Sequence, residues 1–196
     1  MKFDLEGEER FGRITSWLYA FFADHSDGFS MWKFAADDIL DSGRRIILDV
    51  GTGPGNIPFM LADKGKGLEI YAIDPSKAML RIARKKCAGK KVTLAEGYSR
   101  YVPFHKKFDL IISTVSFHHW THKNESLIYL SKFLKPGGEI RIYEFRKVPH
   151  LFIEEKHSMT REELVKAGEE AGLRVKNIAE RKGKLRASYE RRLSGA

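Results

Sequence analysis

Glycines and carboxylates that follow two of the predicted strands are the residues best suited to bind a ligand. Residues 48–56 read LDVGTGPGN, a strand that runs into a glycine-rich loop and then opens a helix. Glycines permit the tight turn and leave room for a ligand against the backbone, although such a loop can also be a plain connection. A dinucleotide fingerprint beginning at Gly51 would require glycine at position 56, which is Asn. The spacing therefore counts against NAD.

A second carboxylate, Asp74, stands at the end of the next predicted strand, 23 residues after Gly51. At this place a carboxylate can accept hydrogen bonds from both hydroxyls of an adenosine ribose. The alternative is an Asp that simply starts a turn before Pro75. Taken together, the glycine loop and Asp74 predict a cofactor that contains adenosine.

The elements that must position these residues alternate between short apolar runs and helical stretches. Strands are predicted over residues 45–50, 68–73, 92–95, 108–115 and 140–143, with helices over 56–64, 76–87 and 124–134 between them. Ser76 is expected to be the N-cap of the second of these helices. Because consecutive strands separated by helices need crossover connections, we expect a parallel sheet with helices on both faces. The carboxyl ends of such strands share one edge, where the glycine loop and Asp74 both fall.

The C-terminal part predicts a different pairing. Thr160, with Glu163 three residues later, favours a capping box at the start of a helix. Two further strands, over residues 173–178 and 185–189, are joined at Lys182-Gly183. A tight hairpin there makes the last pair antiparallel. The predicted fold class is therefore α/β, with a doubly wound, mostly parallel seven-stranded sheet and an antiparallel C-terminal hairpin.

Four blocks of the sequence resemble one known family. They are LDVGTGPGN (48–56), YAIDPSKAML (71–80), FDLIISTVSFHHW (108–120) and LSKFLKPGGEIRIYEF (130–145). The chain is similar to the class I S-adenosylmethionine-dependent methyltransferases, and within them to the group like the quinone-biosynthesis C-methyltransferases. The resemblance implies a Rossmann-like methyltransferase fold, S-adenosylmethionine as cofactor and S-adenosylhomocysteine as product.

The resemblance also implies which residues contact the cofactor. Asp49 and the loop after it would hold the methionine end, and Asp74 would take the ribose hydroxyls. Residues after the second and third strands would flank the adenine, and those at the end of the fourth would lie under the sulfonium. Relatives often carry an acid where Tyr98 stands; Tyr98 could instead stack on the ring or bond through its hydroxyl. The implied contact residues are Asp49, Gly51, Thr52, Gly53, Gly55, Asn56, Asp74, Pro75, Ser76, Met79, Gly97, Tyr98, Ser99, Ser113 and Thr114.

The chemistry of this cofactor makes modest demands on the protein. Its methyl group is bonded to a positively charged sulfur and is already activated for in-line attack. Holding donor and acceptor in line can lower the barrier by roughly 7–11 kcal/mol. A general base is needed only if the acceptor must lose a proton, and His118 and His119, just past the fourth strand, are the candidates. In the alternative, one of them packs beneath Trp120 and the other meets solvent.

Length and composition lead to further expectations. The 196 residues suit a single methyltransferase domain (1–196), predicted as an N-terminal helical cap over 1–43 and a Rossmann-like core over 44–196. Helices are predicted over 11–22 and 31–40, and the aromatic residues of this N-terminal segment either grip an apolar acceptor or fill the core. These aromatic residues are Phe11, Trp17, Tyr19, Phe21, Phe22, Phe29 and Trp32.

One cysteine, Cys87, and the absence of a signal-peptide pattern or a bilayer-length apolar run predict a cytoplasmic protein. The lone cysteine and scattered histidines lack the spacing of a metal site, so no metal is expected. The chain is expected to be a monomer or homodimer.

The positive charge leaves the methyl acceptor open. The net charge is +9, and the basic residues of the C-terminal hairpin contribute more than half of the excess. A methyltransferase that acts on a small molecule is favoured. The alternatives are an RNA or protein methyltransferase that uses the basic hairpin as an anchor, and a non-enzymatic S-adenosylmethionine binder.

Overall fold

The computed structural model describes residues 27–147 and 158–192. Its helices are α1 (Asp27–Asp41), α2 (Asn56–Lys64), α3 (Lys77–Lys86), α4 (Lys123–Ser131) and α5 (Arg161–Glu170), and a 3₁₀ turn spans Phe117–His119. Its strands are β1 (Ile46–Val50), β2 (Glu69–Asp74), β3 (Val92–Glu96), β4 (Phe108–Thr114), β5 (Leu134–Arg146), β6 (Ser158–Met159), β7 (Leu173–Arg181) and β8 (Lys184–Arg191).

The strands form one sheet in the order β3-β2-β1-β4-β5-β8-β7. Strands β1 to β5 are mutually parallel, and β8 lies antiparallel between β5 and β7. This confirms the predicted mostly parallel sheet with an antiparallel C-terminal hairpin. The sheet has an eighth member that the sequence did not predict. Strand β6 is only two residues long and pairs in parallel with Phe145 and Arg146 at the end of β5, too short a run to show an apolar period.

Helices cover both faces of the sheet, and each face has its own cluster of buried side chains. Ile47 packs with α1 and α2 on one face, whereas its neighbour Leu48 packs with α4 and α5 on the other. Ile111 and Ile112 divide between the two faces in the same way. The continuous apolar runs predicted as strands thus follow from burial on both sides.

The C-terminal hairpin turns where the sequence predicts. Lys182 and Gly183 have φ angles of 50° and 70°, the pair of left-handed residues that a two-residue hairpin loop requires. The capping box at the start of α5 is also confirmed. The Thr160 side chain accepts from the Glu163 backbone N–H, and the Glu163 carboxylate accepts from the Thr160 N–H.

Two boundaries differ from the prediction. Helix α4 ends at Ser131, and β5 begins at Leu134, so it includes Pro136-Gly137-Gly138, which were expected to form the loop before the strand. Leu134 already pairs with Phe108 of β4, and the register shifts before the regular pairing resumes at Glu139. The strand therefore carries an irregularity, with Gly137 at a φ of 71°, that only the neighbouring strand could reveal.

The described part of the aromatic N-terminal segment serves mainly as core. Helix α1 confirms the predicted second helix and packs on a sheet face beside α2. Trp32 is buried in that contact, whereas Phe29 is exposed. The predicted helix over 11–22, with its five aromatic residues, lies outside the described residues. In residues 27–147 and 158–192, no helix has the length and apolar character needed to cross a bilayer.

Asp38 joins α1, the first described helix, to strands β5 and β8. Its carboxylate accepts from Arg141 Nη1 at 2.8 Å, Tyr143 Oη at 2.7 Å and Arg186 Nη1 at 2.5 Å. Arg141 and Tyr143 are buried, so loss of the carboxylate would remove the acceptor of the Tyr143 hydroxyl and leave Arg141 with Glu139 as its remaining carboxylate partner among the described residues. Asp37 beside it is exposed and pairs only with Lys33 and Lys64.

We expect Asp38→Ala to lower the free energy of unfolding by about 3 kcal/mol, because the buried Tyr143 hydroxyl loses its acceptor and the buried Arg141 loses one of these two carboxylate partners. The neighbouring Asp37→Ala should change it by less than about 1 kcal/mol, as surface pairs contribute little. Urea unfolding of the two variants and the parent measures both values. Equal effects of the two substitutions would contradict the assigned role of Asp38.

Candidate functional site

The glycine loop at the end of β1 adopts a conformation that its glycines make accessible. Gly51 and Gly53 have φ angles of 77° and 54°, in the left-handed region. A Cβ atom on Gly51 would lie 2.0 Å from Ser116 Oγ, whereas one on Gly53 would meet open space. The backbone N–H groups of Gly51 and Thr52 both donate to the Ile73 carbonyl of β2. The loop is thus fixed between the ends of β2 and β4, with open space at Gly53.

Asp74 ties the ends of the first two strands together. Its Oδ2 accepts from the Gly53 N–H and its Oδ1 from the Ser76 N–H, both at 2.8 Å. Both carboxylate oxygens are hydrogen-bond acceptors, which is the chemistry that a ligand hydroxyl at this position would require. Asp74 is buried, and its backbone carbonyl also accepts from the Gly97 N–H after β3.

Four buried polar atoms at the ends of β1 and β4 have no hydrogen-bond partner among the described residues. They are Asp49 Oδ1, Thr52 Oγ1, Ser113 Oγ and Thr114 Oγ1. Buried polar atoms are normally paired, and leaving one unpaired costs about 1–3 kcal/mol. Strands β1 and β4 are neighbours at the point where the strand order reverses, which is where open α/β sheets bind ligands. The four atoms are placed to receive polar groups of a bound molecule.

Among these four groups, the Asp49 carboxyl is the acidic one, and its pKa is shifted well above the ordinary value. Burial, together with a smaller effect of the nearby Asp74 carboxylate, raises its pKa from 3.8 to about 7. The Thr52 hydroxyl approaches the carboxyl and offsets part of the rise, without reaching full hydrogen-bond geometry. A cationic ligand group would stabilise the ionised form of this carboxyl, because the positive charge would replace the favourable interactions with water that burial removes.

The residues predicted around the adenine lie after β2 and β3. Ser76 is the N-cap of α3, as predicted, and its Oγ accepts from the Met79 N–H at 3.3 Å. Tyr98 forms a backbone bridge with Tyr101. Ser99 is fully buried, with its Oγ 2.8 Å from Ser126 Oγ of α4. Ser76 and Ser99 therefore also have structural roles.

The remaining predicted residues complete this edge of the sheet. Gly55 precedes α2, and Asn56, its first residue, is buried with its Oδ1 accepting from Lys86 Nζ. Pro75 links Asp74 to the Ser76 cap. Every residue predicted to contact the cofactor thus lies at or just beyond the carboxyl ends of β1 to β4.

The chain turns sharply after β4. Val115 has a φ of 51°, an unusual conformation for a β-branched residue, and its N–H donates to the Tyr143 carbonyl. The turn places Ser116 Oγ against Gly51, and the same oxygen accepts from Trp120 Nε1. Strained backbone of this kind is found where a binding or catalytic residue must be held in place. Here it leads into the two histidines.

His118 and His119 occupy the 3₁₀ turn that follows, with ring centroids 4.0 Å apart. His118 Nδ1 lies 2.9 Å from Glu144 Oε2, and the His118 backbone N–H donates to Glu144 Oε1. The side chains of both partners are buried. Glu144 is on β5, the strand beside β4.

Two residues of this site were not predicted. Ser116 stands next to Gly51 only because of the turn at Val115, which no local pattern announces. Glu144 did leave a signal, since it is a carboxylate within the apolar segment Ile140–Phe145. A buried charge in a strand needs a partner, and the histidines were available.

Comparisons with known proteins agree with this geometry. Residues 47–138 match the family described as a methyltransferase domain. The crystal structure of a SAM-dependent methyltransferase from Aquifex aeolicus superposes with a TM-score of 0.73 over 92% of this chain and 98% of that chain, at 22% identity. The matched segment, the relatives and the superposition all agree with the class I S-adenosylmethionine-dependent methyltransferases that the sequence resembles. S-adenosylmethionine is the cofactor of this class.

Curated relatives carry related names. An uncharacterized methyltransferase of Geobacillus kaustophilus is 32% identical over 59% of this chain and 54% of that protein. A demethylmenaquinone methyltransferase of Thermus thermophilus is 31% identical over 60% of this chain and 56% of that protein. The match spans about half the length of these relatives.

The residues at the carboxyl edge fit S-adenosylmethionine. The cofactor has a cationic amino-acid end, two ribose hydroxyls and an adenine. Asp49 offers an unpaired carboxylate oxygen, and Asp74 offers further carboxylate oxygens close by. The described residues contain no group of three or more His, Cys, Asp and Glu side chains that could hold a metal ion.

The raised pKa of Asp49 predicts a pH-dependent cost in stability. The carboxyl stays protonated in the folded protein up to about pH 7, but ionises near pH 4 when unfolded. Stability is therefore lost as the pH rises from about 4 through 7, by up to about 4 kcal/mol. Asp49→Asn should raise the free energy of unfolding at pH 8 by about 2–4 kcal/mol, with little effect at pH 4.5.

Urea unfolding at the two pH values measures this difference. Asp63→Asn is the matched control, because Asp63 is an exposed carboxylate that pairs with Lys90 on the surface. An Asp49→Asn effect that is equal at pH 4.5 and pH 8 would show that the carboxyl is ionised at both.

Proposed function

We propose that this protein transfers a methyl group from S-adenosylmethionine to a small molecule. The observation that carries the proposal is the set of four unpartnered polar atoms at the ends of β1 and β4, beside Asp74. The methyl group of the cofactor is activated by its positively charged sulfur. The protein's part is to bind the cofactor, to orient the acceptor towards that group and to exclude water.

In this proposal, each predicted residue has a place along the cofactor. Asp49 and the loop from Gly51 to Asn56 hold the methionine end, and Asp74 accepts from the ribose hydroxyls. Pro75, Ser76 and Met79 flank one side of the adenine, and Gly97, Tyr98 and Ser99 flank the other. Ser113 and Thr114 lie under the sulfonium, and His118 and His119 face the acceptor.

The charges of the C-terminal hairpin support a small acceptor over RNA. Arg186 is held by Asp38 and by Asn177. At the tip of the hairpin, Arg181, Lys182 and Lys184 line a cleft of about 450 Å³. Asp37, Asp38 and Asp41 line the same cleft, so the tip is not a purely cationic surface. An anionic polymer would meet carboxylates as well as cations there.

The hairpin gives a direct test of the RNA alternative. We expect no salt-sensitive shift of a structured RNA in native gels at 50 mM salt, because the acids of α1 offset the hairpin's charge. Lys182→Glu combined with Lys184→Glu should leave the result unchanged. A shift that disappears in this double variant would support RNA as the acceptor.

The relatives indicate which acceptor to try first. One is named a demethylmenaquinone methyltransferase, and the ring of a reduced quinone carries hydroxyl groups. A reduced short-chain demethylmenaquinone is therefore the first probe.

Four expectations from the sequence stay predictions. They are the single domain over 1–196, the cap over 1–43, the cytoplasmic location and the monomeric or homodimeric state.

Calorimetric titration with S-adenosylhomocysteine tests cofactor binding. We expect the parent protein to bind S-adenosylhomocysteine and not NAD. Asp74→Ala should lose about 100-fold in affinity, because it removes the acceptor of the two charge-assisted hydrogen bonds proposed from the ribose hydroxyls. Asp63→Ala is the matched control and should bind like the parent.

The outcomes separate the three functions that the sequence left open. Product binding followed by transfer of a radioactive methyl group to the quinol probe supports the proposal. Product binding without transfer to a panel of quinols, thiols and amines favours a non-enzymatic binder. No binding of the product would overturn the assignment of the glycine loop to this cofactor.

A further inference from the structure

Glu144 is an ionisable side chain in a place where ionisable side chains are rare. It lies on β5, an interior strand of the sheet, and it is completely buried. A carboxylate that is removed from water needs hydrogen-bond donors, and both of its oxygens find one on the same residue. Oε1 accepts from the His118 backbone N–H at 3.2 Å, and Oε2 lies 2.9 Å from His118 Nδ1. The buried carboxylate is thus dedicated to holding one histidine.

These two contacts determine which nitrogen of the imidazole carries the proton. An ionised carboxylate can only accept hydrogen bonds, so Nδ1 must be the N–H donor. In the neutral ring, Nε2 then holds the lone pair. Because Nδ1 and Nε2 lie on different sides of the ring, the bond to β5 directs Nε2 away from that strand. His118 is therefore oriented as a base, with Nε2 as its basic atom.

The pair stands at the same edge of the sheet as the proposed cofactor contacts. His118 comes two residues after Ser116, whose Oγ contacts the glycine loop at Gly51. Thr114, one of the residues with an unpartnered hydroxyl, pairs in register with Tyr143, the residue before Glu144. The imidazole and its carboxylate are thus fixed to the two segments that flank the proposed position of the methyl group.

We propose that Glu144 is a positioning residue that holds His118 as the general base for an acceptor that must lose a proton. The inference rests on the proposed function and deepens it by naming the acceptor class. That class is an acceptor with an O–H or another acidic proton on, or conjugated to, the attacking atom. An acceptor with a free amine lone pair would have no need of this pair.

The proton and electron transfers balance within this arrangement. The attacking atom forms a bond to the methyl carbon as the methyl–sulfur bond breaks, and the electron pair of that bond stays with sulfur. The acceptor's proton passes to His118 Nε2. The imidazolium that results is stabilised by the Glu144 carboxylate at 2.9 Å from Nδ1.

Replacing Glu144 with glutamine changes the proton on the histidine with little change of shape. A glutamine side chain has one acceptor oxygen and one donor nitrogen. The His118 backbone N–H is always a donor and takes the oxygen, so the amide NH₂ group faces Nδ1. The imidazole must then carry its proton on Nε2, where it no longer acts as a base. Glu144→Asp keeps the carboxylate and should restore the parent tautomer in part.

Nitrogen-15 NMR of histidine-labelled full-length protein tests the pair without knowledge of the acceptor. We expect the Nδ1–H tautomer for His118 in the parent and the Nε2–H tautomer in Glu144→Gln. His118→Gln assigns the resonance, and Glu170→Gln on the exposed surface of α5 is the matched control. An Nε2–H tautomer in the parent protein would overturn the proposal.

A second measurement separates a catalytic position from a merely structural pair. We expect the His118 Nε2 resonance to differ between the complexes with S-adenosylmethionine and S-adenosylhomocysteine, which differ in the methyl group and the positive charge on sulfur. The resonance of exposed His105, before β4, should be the same in both. Identical His118 spectra in the two complexes would place the pair away from the reacting atoms.

Kinetics with the quinol probe supply the last comparison. Glu144→Gln should lower kcat about 100-fold while KM and product affinity change less than about threefold, as expected for loss of a general base. Failure of the parent to bind S-adenosylhomocysteine would overturn the proposed function, whereas normal binding with unchanged kcat in Glu144→Gln would overturn only the role of Glu144.

Discussion

The carboxylate of Asp74 accepts hydrogen bonds from two backbone N–H groups, those of Gly53 and Ser76, and the site depends on this convergence. The first contact holds the glycine loop over the end of β2, and the second fixes the chain as it enters α3. Both follow from a parallel sheet, which brings the ends of β1 and β2 to one edge. Gly51 of the same loop lies directly beside Ser116, in the turn that leads to His118. The loop that Asp74 holds in place is therefore also adjacent to the segment that bears His118.

The polar groups at this edge lower the stability of the fold. Asp49 is buried with a raised pKa, and three hydroxyls beside it have no partner among the described residues. Each such group disfavours the folded state by about 1–3 kcal/mol, a sizeable fraction of the roughly 5–15 kcal/mol net stability of a domain. The two apolar clusters on the faces of the sheet compensate, which agrees with the general finding that local rules are broken mainly at functional sites.

Local patterns were enough to predict the strand-helix alternation, the Ser76 cap, the Thr160 capping box and the hairpin at Lys182-Gly183. Each of these depends on residues close together in the chain. The start of β5 was misplaced because pairing of Leu134 with β4 decides it, and β6 was missed because a two-residue strand has no period. The pairing of His118 with Glu144 links residues 26 apart and exists only through the register of β4 with β5 and the turn at Val115.

The position of β8 between β5 and β7 has a consequence for the order in which the protein can be made. During synthesis, β1 to β5 can pair as they emerge, but the outer edge of β5 has no main partner until residues 184–191 are available. The same segment carries Arg186, which reaches back to Asp38 in the first described helix. Until residues 184–191 have been synthesised, an apolar interior strand is exposed as an edge, a state prone to association with other chains. Completion of the sheet therefore waits for synthesis of β8.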